Sequence, residues 1–202
     1  MSFEKVIEFE RNISKFFGAP YAVAVDSCTH GIELCLRYLK VKGINVPVRT
    51  YVSIPFLSNK LGIDLNWNHE PWQDYYFLSD KVIDAAVLWK QNSYIQGKFM
   101  SISFQFQKHL NLGRGGIILC PDKKSYDQLK KMSYDGREPL VPWREQDIDT
   151  VGYHYYMTPE TAELGLEKLQ EAIIREPKQW VYNDWPDLSK MKVFEKSKNE
   201  KN

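Results

Sequence analysis

Tyr21-Ala22-Val23-Ala24-Val25-Asp26-Ser27-Cys28-Thr29-His30-Gly31 is the stretch on which the fold turns. Its first five residues carry no polar alternation, as expected for a strand covered on both faces. Asp26 to Gly31 is small and polar, the composition of a turn. Ile32, Leu34, Cys35, Leu36 and Leu39 then give a helix one apolar face. A strand, a tight turn and a helix in this order form the building unit of an α/β layer.

The surrounding sequence repeats that alternation. Upstream, Val6, Phe9, Ile13 and Phe16 recur at helical spacing over Ser2 to Phe17, and Gly18 supplies a left-handed stop. Downstream, strands are predicted at Ile44 to Pro47, Ile63 to Trp67, Lys81 to Ala86, the run ending at Ser103-Phe104, and Gly116 to Cys120. Helices are predicted over Val52 to Leu61, with Pro55 arguing for a late start or a kink, and over Ser125 to Met132. Thr158-Pro159-Glu160 opens a last helix, since threonine caps well and proline suits the first helical position. The pattern predicts a three-layer α/β fold with a mostly parallel sheet. It is read as one domain over residues 1–185, followed by a charged, solvated tail over 186–202.

Composition narrows the function classes. The 202 residues are 43% hydrophobic and 26% charged, as in a globule with a real core, and the net charge is +1. Such a balance gives no electrostatic reason to expect nucleic acid or a membrane surface as partner. No apolar run is long enough to cross a bilayer, and no signal-peptide pattern opens the chain. Cys28, Cys35 and Cys120 lack a CxxC spacing and read as reduced thiols of a cytoplasmic protein. The four histidines, His30, His69, His109 and His154, are scattered, so no metal is expected.

In sheets of this kind ligands sit at the carboxyl ends of strands. Thr29 lies at such an end, where a helix start offers free N–H groups suited to a phosphate; the plain alternative is a helix cap. Tyr51 suits the face of an aromatic ring, or is an ordinary half-buried strand residue. Asp84 follows an apolar strand and needs a partner if buried, either a protonated pyridine nitrogen or backbone N–H groups. Lys108 follows Ser103-Phe104-Gln105-Phe106-Gln107 and precedes Gly113-Arg114-Gly115-Gly116. A lysine at a strand end with a glycine-rich hairpin behind it is placed to hold pyridoxal phosphate (PLP) as a Schiff base; an isolated lysine is otherwise a surface charge.

Taken in order, Tyr21 to Gly31, Val46-Pro47 to Thr50-Tyr51, Val82 to Ala86, Ser103 to Gly116, and Gly152-Tyr153-His154-Tyr155-Tyr156-Met157 resemble the DegT/DnrJ/EryC1/StrS family. The resemblance implies a reduced form of the large domain of fold type I, PLP-dependent transferases. It implies Lys108 as the lysine that bonds the cofactor and Asp84 as the partner of the pyridine nitrogen. Cys28, Thr29 and His30 would form the phosphate-binding turn, Tyr51 would stack on the ring, and Ser103 would bond the phosphate. His154 stands where the family has an asparagine that reaches the neighbouring subunit's phosphate, implying a homodimer with shared sites.

The chain departs from the family pattern in several places. The interval from Tyr51 to Asp84 is shorter by about one strand–helix unit. Val87 stands in place of a glutamine or histidine, Cys28 in place of glycine or alanine, and Tyr156 in place of arginine. The small C-terminal domain is not expected after the last helix. The function implied is transfer of an amino group from glutamate, the amino-acid donor, to a nucleotide-linked keto sugar. The alternatives are a catalytically silent relative that acts as a binding scaffold, and a reduced chain whose site a second chain completes.

Overall fold

The computed structural model describes residues 2–195. Helix α1 (Glu4–Phe17) ends where Gly18 takes φ 76°, and strand β1 (Tyr21–Val25) follows at once. Helix α2 (Cys28–Tyr38) is capped by Ser27, whose hydroxyl accepts from the His30 N–H at 3.2 Å. The chain continues through β2 (Gly43–Pro47), α3 (Ser53–Leu61), β3 (Asp64–Asn68), the short β4 (Tyr76–Phe77) and β5 (Val82–Asp84). Then come β6 (Phe99–Ser103), β7 (Gly116–Cys120), α4 (Lys123–Ser133), α5 (Pro159–Ile174) and a final turn of helix, α6 (Lys192–Glu195). Pro55 lies in the first turn of α3, where a missing N–H costs no helical bond, so the helix needs neither a late start nor a kink.

The sheet is mixed, and this corrects the mostly parallel sheet expected from the sequence. Five strands lie in the order β1-β7-β6-β5-β4. Only β5 and β6 are parallel; the β1–β7, β6–β7 and β4–β5 pairs are antiparallel. Strands β2 and β3 form a separate parallel pair. The reason lies in the connections, because a parallel pair needs a crossover long enough for a helix whereas a turn reverses the chain. Strand β4 reaches β5 through a turn in which the Leu78 N–H donates to the Val82 carbonyl at 2.9 Å. Strand β6 reaches β7 through a helix-free loop, in which Phe104 N–H bonds Gly115 and Phe106 N–H bonds Gly113.

Strand β7 runs against both of its neighbours, so β1, β5 and β6 share one direction. Their carboxyl ends therefore meet at one sheet edge. The registers make this concrete: Val25 and Ser103 both lie opposite Gly116, and Asp84 lies opposite Ser101.

Side chains alternate across the sheet. Ile117 and Leu119 face a core built with Val6, Phe9 and Ile13 of α1 and Ala162 and Leu169 of α5. Ile118 and Cys120 face a second core with Ile32, Leu34 and Leu36 of α2 and Leu129 of α4. Helices thus cover both faces. Of the tail expected over 186–202, residues 196–202 lie outside the described residues. Within 186–195, Leu188 is 1% exposed and Phe194 5%. No helix among the described residues is long and apolar enough to cross a membrane.

Candidate active site

The shared strand edge opens into a cavity of about 330 Å³. Its floor is Asp84, 3% exposed. The Ala86 N–H donates to Asp84 Oδ1 at 2.9 Å, and the Tyr76 hydroxyl donates to Oδ2. Tyr76 sits directly across the β4–β5 pair from Asp84, and its oxygen is 2.6 Å from Thr50 Oγ1. Burial pushes the Asp84 carboxyl above its usual range, against the Tyr76 and Ala86 bonds and the charge of Lys108.

Lys108 enters from the loop between β6 and β7. That loop folds back on itself, with Lys108 N–H bonding the Gln105 carbonyl at 2.8 Å and Leu112 N–H bonding Phe104 at 2.9 Å. Lys108 Nζ lies 4.4 Å from the ring centre of Trp180 and 5.5 Å from that of Trp185. Burial pushes the Lys108 ammonium below its usual range; Cys28 and Asp84 oppose the shift and Lys178 adds to it. A lysine so placed releases its proton more readily than one in water, which a nucleophilic amine requires.

The opposite wall is the amino-terminal end of α2. Its first N–H groups, at Cys28 and Thr29, have no acceptor within the helix, and the helix dipole favours an anion there. Gly116 lies so close to this turn that a Cβ would come 2.4 Å from Cys28 N and 2.6 Å from Ser27 C. Only glycine lets β7 approach and leave the turn open to the cavity. Ser103, Gly115 and Arg114 complete this wall. Arg114 donates from Nη2 to Asp26 Oδ2 at 2.9 Å. These features fit a compact anionic group at the helix end and a planar ring between Tyr51 and the Asp84 floor.

Of the residues singled out from the sequence, the structure brings Cys28, Thr29, Tyr51, Asp84, Ser103 and Lys108 to this one cavity. Thr29 is not the helix cap; its hydroxyl is 2.7 Å from that of Ser53, leaving its N–H at the cavity. Cys28 donates its thiol toward the Ser101 carbonyl at 3.5 Å, and burial pushes that thiol well up, so it is a neutral wall residue. Two residues lie elsewhere. His30 Nδ1 is 2.6 Å from Asp26 Oδ1, and its ring lies flat on Tyr155 at 3.7 Å. His154 keeps its side chain 72% exposed beside Asp135.

Sequence reasoning missed Thr50, Trp72, Tyr76, Arg114 and Trp185 at the cavity. Arg114 was within reach, since it interrupts the glycine run. Tyr76 sits on a strand of two residues, too short to show a period.

A model of the DegT/DnrJ/EryC1/StrS aminotransferase family matches residues 1–56 and 92–178. The unmatched interval 57–91 carries both Tyr76 and Asp84. A GDP-perosamine synthase of Escherichia coli O157:H7 is 33% identical over 76 residues, 38% of this chain and 20% of its own length. A Streptococcus pneumoniae protein solved in a PLP form has 21% identity and a TM-score of 0.68, over 83% of this chain and 59% of that one. The sugar aminotransferase CalS13 of Micromonospora echinospora has 16% identity and a TM-score of 0.68, over 83% of this chain and 60% of that one. The chain therefore spans less than two thirds of the length of these relatives.

Proposed function

We propose that this chain, which belongs to the DegT/DnrJ/EryC1/StrS aminotransferase family, binds PLP in the cavity at Lys108 and uses it to transfer an amino group. Glutamate as donor and a nucleotide-linked keto sugar as acceptor complete the reading. The observation that carries it is the convergence of a half-buried lysine, a buried aspartate and an open helix start on one cavity.

When bound, the cofactor supplies an aldehyde that bonds reversibly to amines and a ring that withdraws electrons. The remaining work belongs to the chain. The cavity wall at Cys28, Thr29 and Ser103 would hold the phosphate, with Arg114 beside it. Asp84 would pair with the ring nitrogen and, by its negative charge, would hold a proton there. Tyr51 would cover the ring. The Lys108 amine would hold the cofactor and, when free, would carry the proton at the substrate carbon. Trp180 and Trp185 exclude water from that amine. In this reading His154, exposed and outside the cavity, serves the site of a second copy in a homodimer, and His30 supports the phosphate turn from behind through Asp26 and Arg114.

The open cavity around Lys108 favours this reading over a silent scaffold, which has no use for an amine held at such a cavity. The test is spectroscopic. PLP added to the purified protein is expected to give the shifted absorption of a lysine-bound cofactor, fixed by borohydride onto Lys108 and absent in Lys108→Ala. Glutamate is then expected to bleach that band. A wild-type spectrum equal to that of free PLP overturns the proposal.

A further inference from the structure

We infer that Tyr76 is a positioning residue for Asp84: its hydroxyl, oriented in turn by Thr50, fixes the buried carboxylate and keeps it ionised toward the cavity. The inference rests on the cofactor reading above and assigns a role that the family match does not supply, because Tyr76 lies in the unmatched interval 57–91.

The geometry assigns each proton. An ionised carboxylate only accepts, so the Tyr76 O–H proton points to Asp84 Oδ2. The Tyr76 oxygen is then left as an acceptor, and the Thr50 hydroxyl at 2.6 Å is its donor. Both residues are buried, at 7% and 3% exposure, so neither bond is shared with bulk water. The Trp72 ring packs edge-on against Tyr76 at 5.0 Å and fixes the phenol. Thr50 immediately precedes Tyr51, so the same stretch that covers the ring also directs the relay beneath it.

A carboxylate offers about four acceptor positions. Tyr76 and the Ala86 N–H fill one on each oxygen, which leaves positions for a ring N–H in the cavity. A donor to the charged form favours that form, whereas burial favours the neutral one. The titratable groups facing Asp84 are Tyr76 from β4, Lys108 from the β6–β7 loop and Cys28 from α2. The thiol is neutral, and Lys108 acts in the same direction as Tyr76. Removal of the phenol therefore leaves burial opposed only by Ala86 and Lys108.

The test begins without cofactor. The Asp84 carboxyl is followed by carbon NMR across a pH series in protein labelled at aspartate, with Asp84→Asn giving the assignment. In Tyr76→Phe the titration midpoint is expected to rise by about one pH unit, a tenfold change in proton affinity, in line with the strength of hydrogen bonds to charged groups. PLP affinity measured on the same variant is expected to fall about tenfold. Thr50→Val, which keeps the phenol, is expected to shift the midpoint in the same direction by less, and it serves if Tyr76→Phe does not fold.

A midpoint equal to wild type in the folded variant overturns the role of Tyr76, whatever the protein does with PLP. Failure of wild type to bind PLP overturns the cofactor reading but leaves the carboxyl titration to decide the hydrogen-bond claim. Unchanged PLP affinity beside a raised midpoint overturns the link between the two.

Discussion

At the residue scale, Lys108 shows how burial and charge compete. Its ammonium is attracted by two indole faces, each contact worth about 0.5–1 kcal/mol in an exposed setting. Its proton affinity is nevertheless lowered, with burial the largest cause, so loss of hydration outweighs the pull of the Asp84 carboxylate. The sign of the stability effect follows. The unfolded lysine titrates at 10.5 and the folded one below it, so the folded state sheds its proton first. The stabilising contribution is present above pH 10.5 and is lost as pH falls through the folded value. At neutral pH, well below 10.5, holding this lysine at the cavity thus costs stability. Lys108→Met is expected to be more stable than wild type at pH 7 in urea unfolding, with the advantage shrinking as pH rises toward 10.5. A difference independent of pH excludes this account. The same residue marks what sequence could reveal of the site. Asp84 ends a strand, and Thr29 and Lys108 follow strands whose apolar runs are visible in the sequence; the three share the cavity. Tyr76 and Trp185 reach it from a two-residue strand and a polar segment, where no pattern announces a role.

At the element scale, helices were legible and strand directions were not. The apolar stripe of α1 is written in Val6, Phe9 and Ile13, all 0–1% exposed. Direction is set by connections, and the loop from Phe104 to Gly115 turns β7 against β6 without a helix. The glycine run there pointed to a hairpin, while the general alternation of strands and helices pointed to crossovers; the local signal governs. Packing of α1 on α5 gives a sharp test. A Cβ on Gly165 would lie 2.5 Å from Phe9 Cε2. Phe9 is 0% exposed and meets Phe104 edge-on at 5.5 Å, so its ring has nowhere to go. Gly165→Ala is expected to cost about 2–3 kcal/mol in urea unfolding despite alanine's better helix propensity. An unchanged or higher midpoint means that the two helices are not in this contact.

At the scale of the whole molecule, the carboxyl-terminal segment returns across the chain to close the site from above. Leu188 N–H bonds the Val48 carbonyl at 2.7 Å, and Arg49 Nη1 bonds the Trp185 carbonyl at 2.6 Å. Leu188 is buried, and Phe194 stacks on Phe56 at 5.3 Å, so the segment is anchored on the residues that follow β2 and on α3. These anchors hold Trp185 at the cavity and, stacked on it at 5.5 Å, Trp180 over Lys108. The segment is peripheral to both main cores, and peripheral units open locally at less cost than global unfolding. Leu188→Ala, which truncates a buried leucine, is expected to remove about 2–4 kcal/mol from the anchoring of this segment while lowering the global unfolding midpoint by less. The readout is the rate at which an acylating reagent labels Lys108, followed by peptide mass spectrometry, with the exposed Lys124 as internal reference. Detachment of the two indoles uncovers an amine already disposed to lose its proton, so labelling of Lys108 is expected to accelerate severalfold relative to Lys124. An unaltered ratio in a folded variant means that Trp180 and Trp185 do not shield the amine and that access to the cavity is controlled elsewhere.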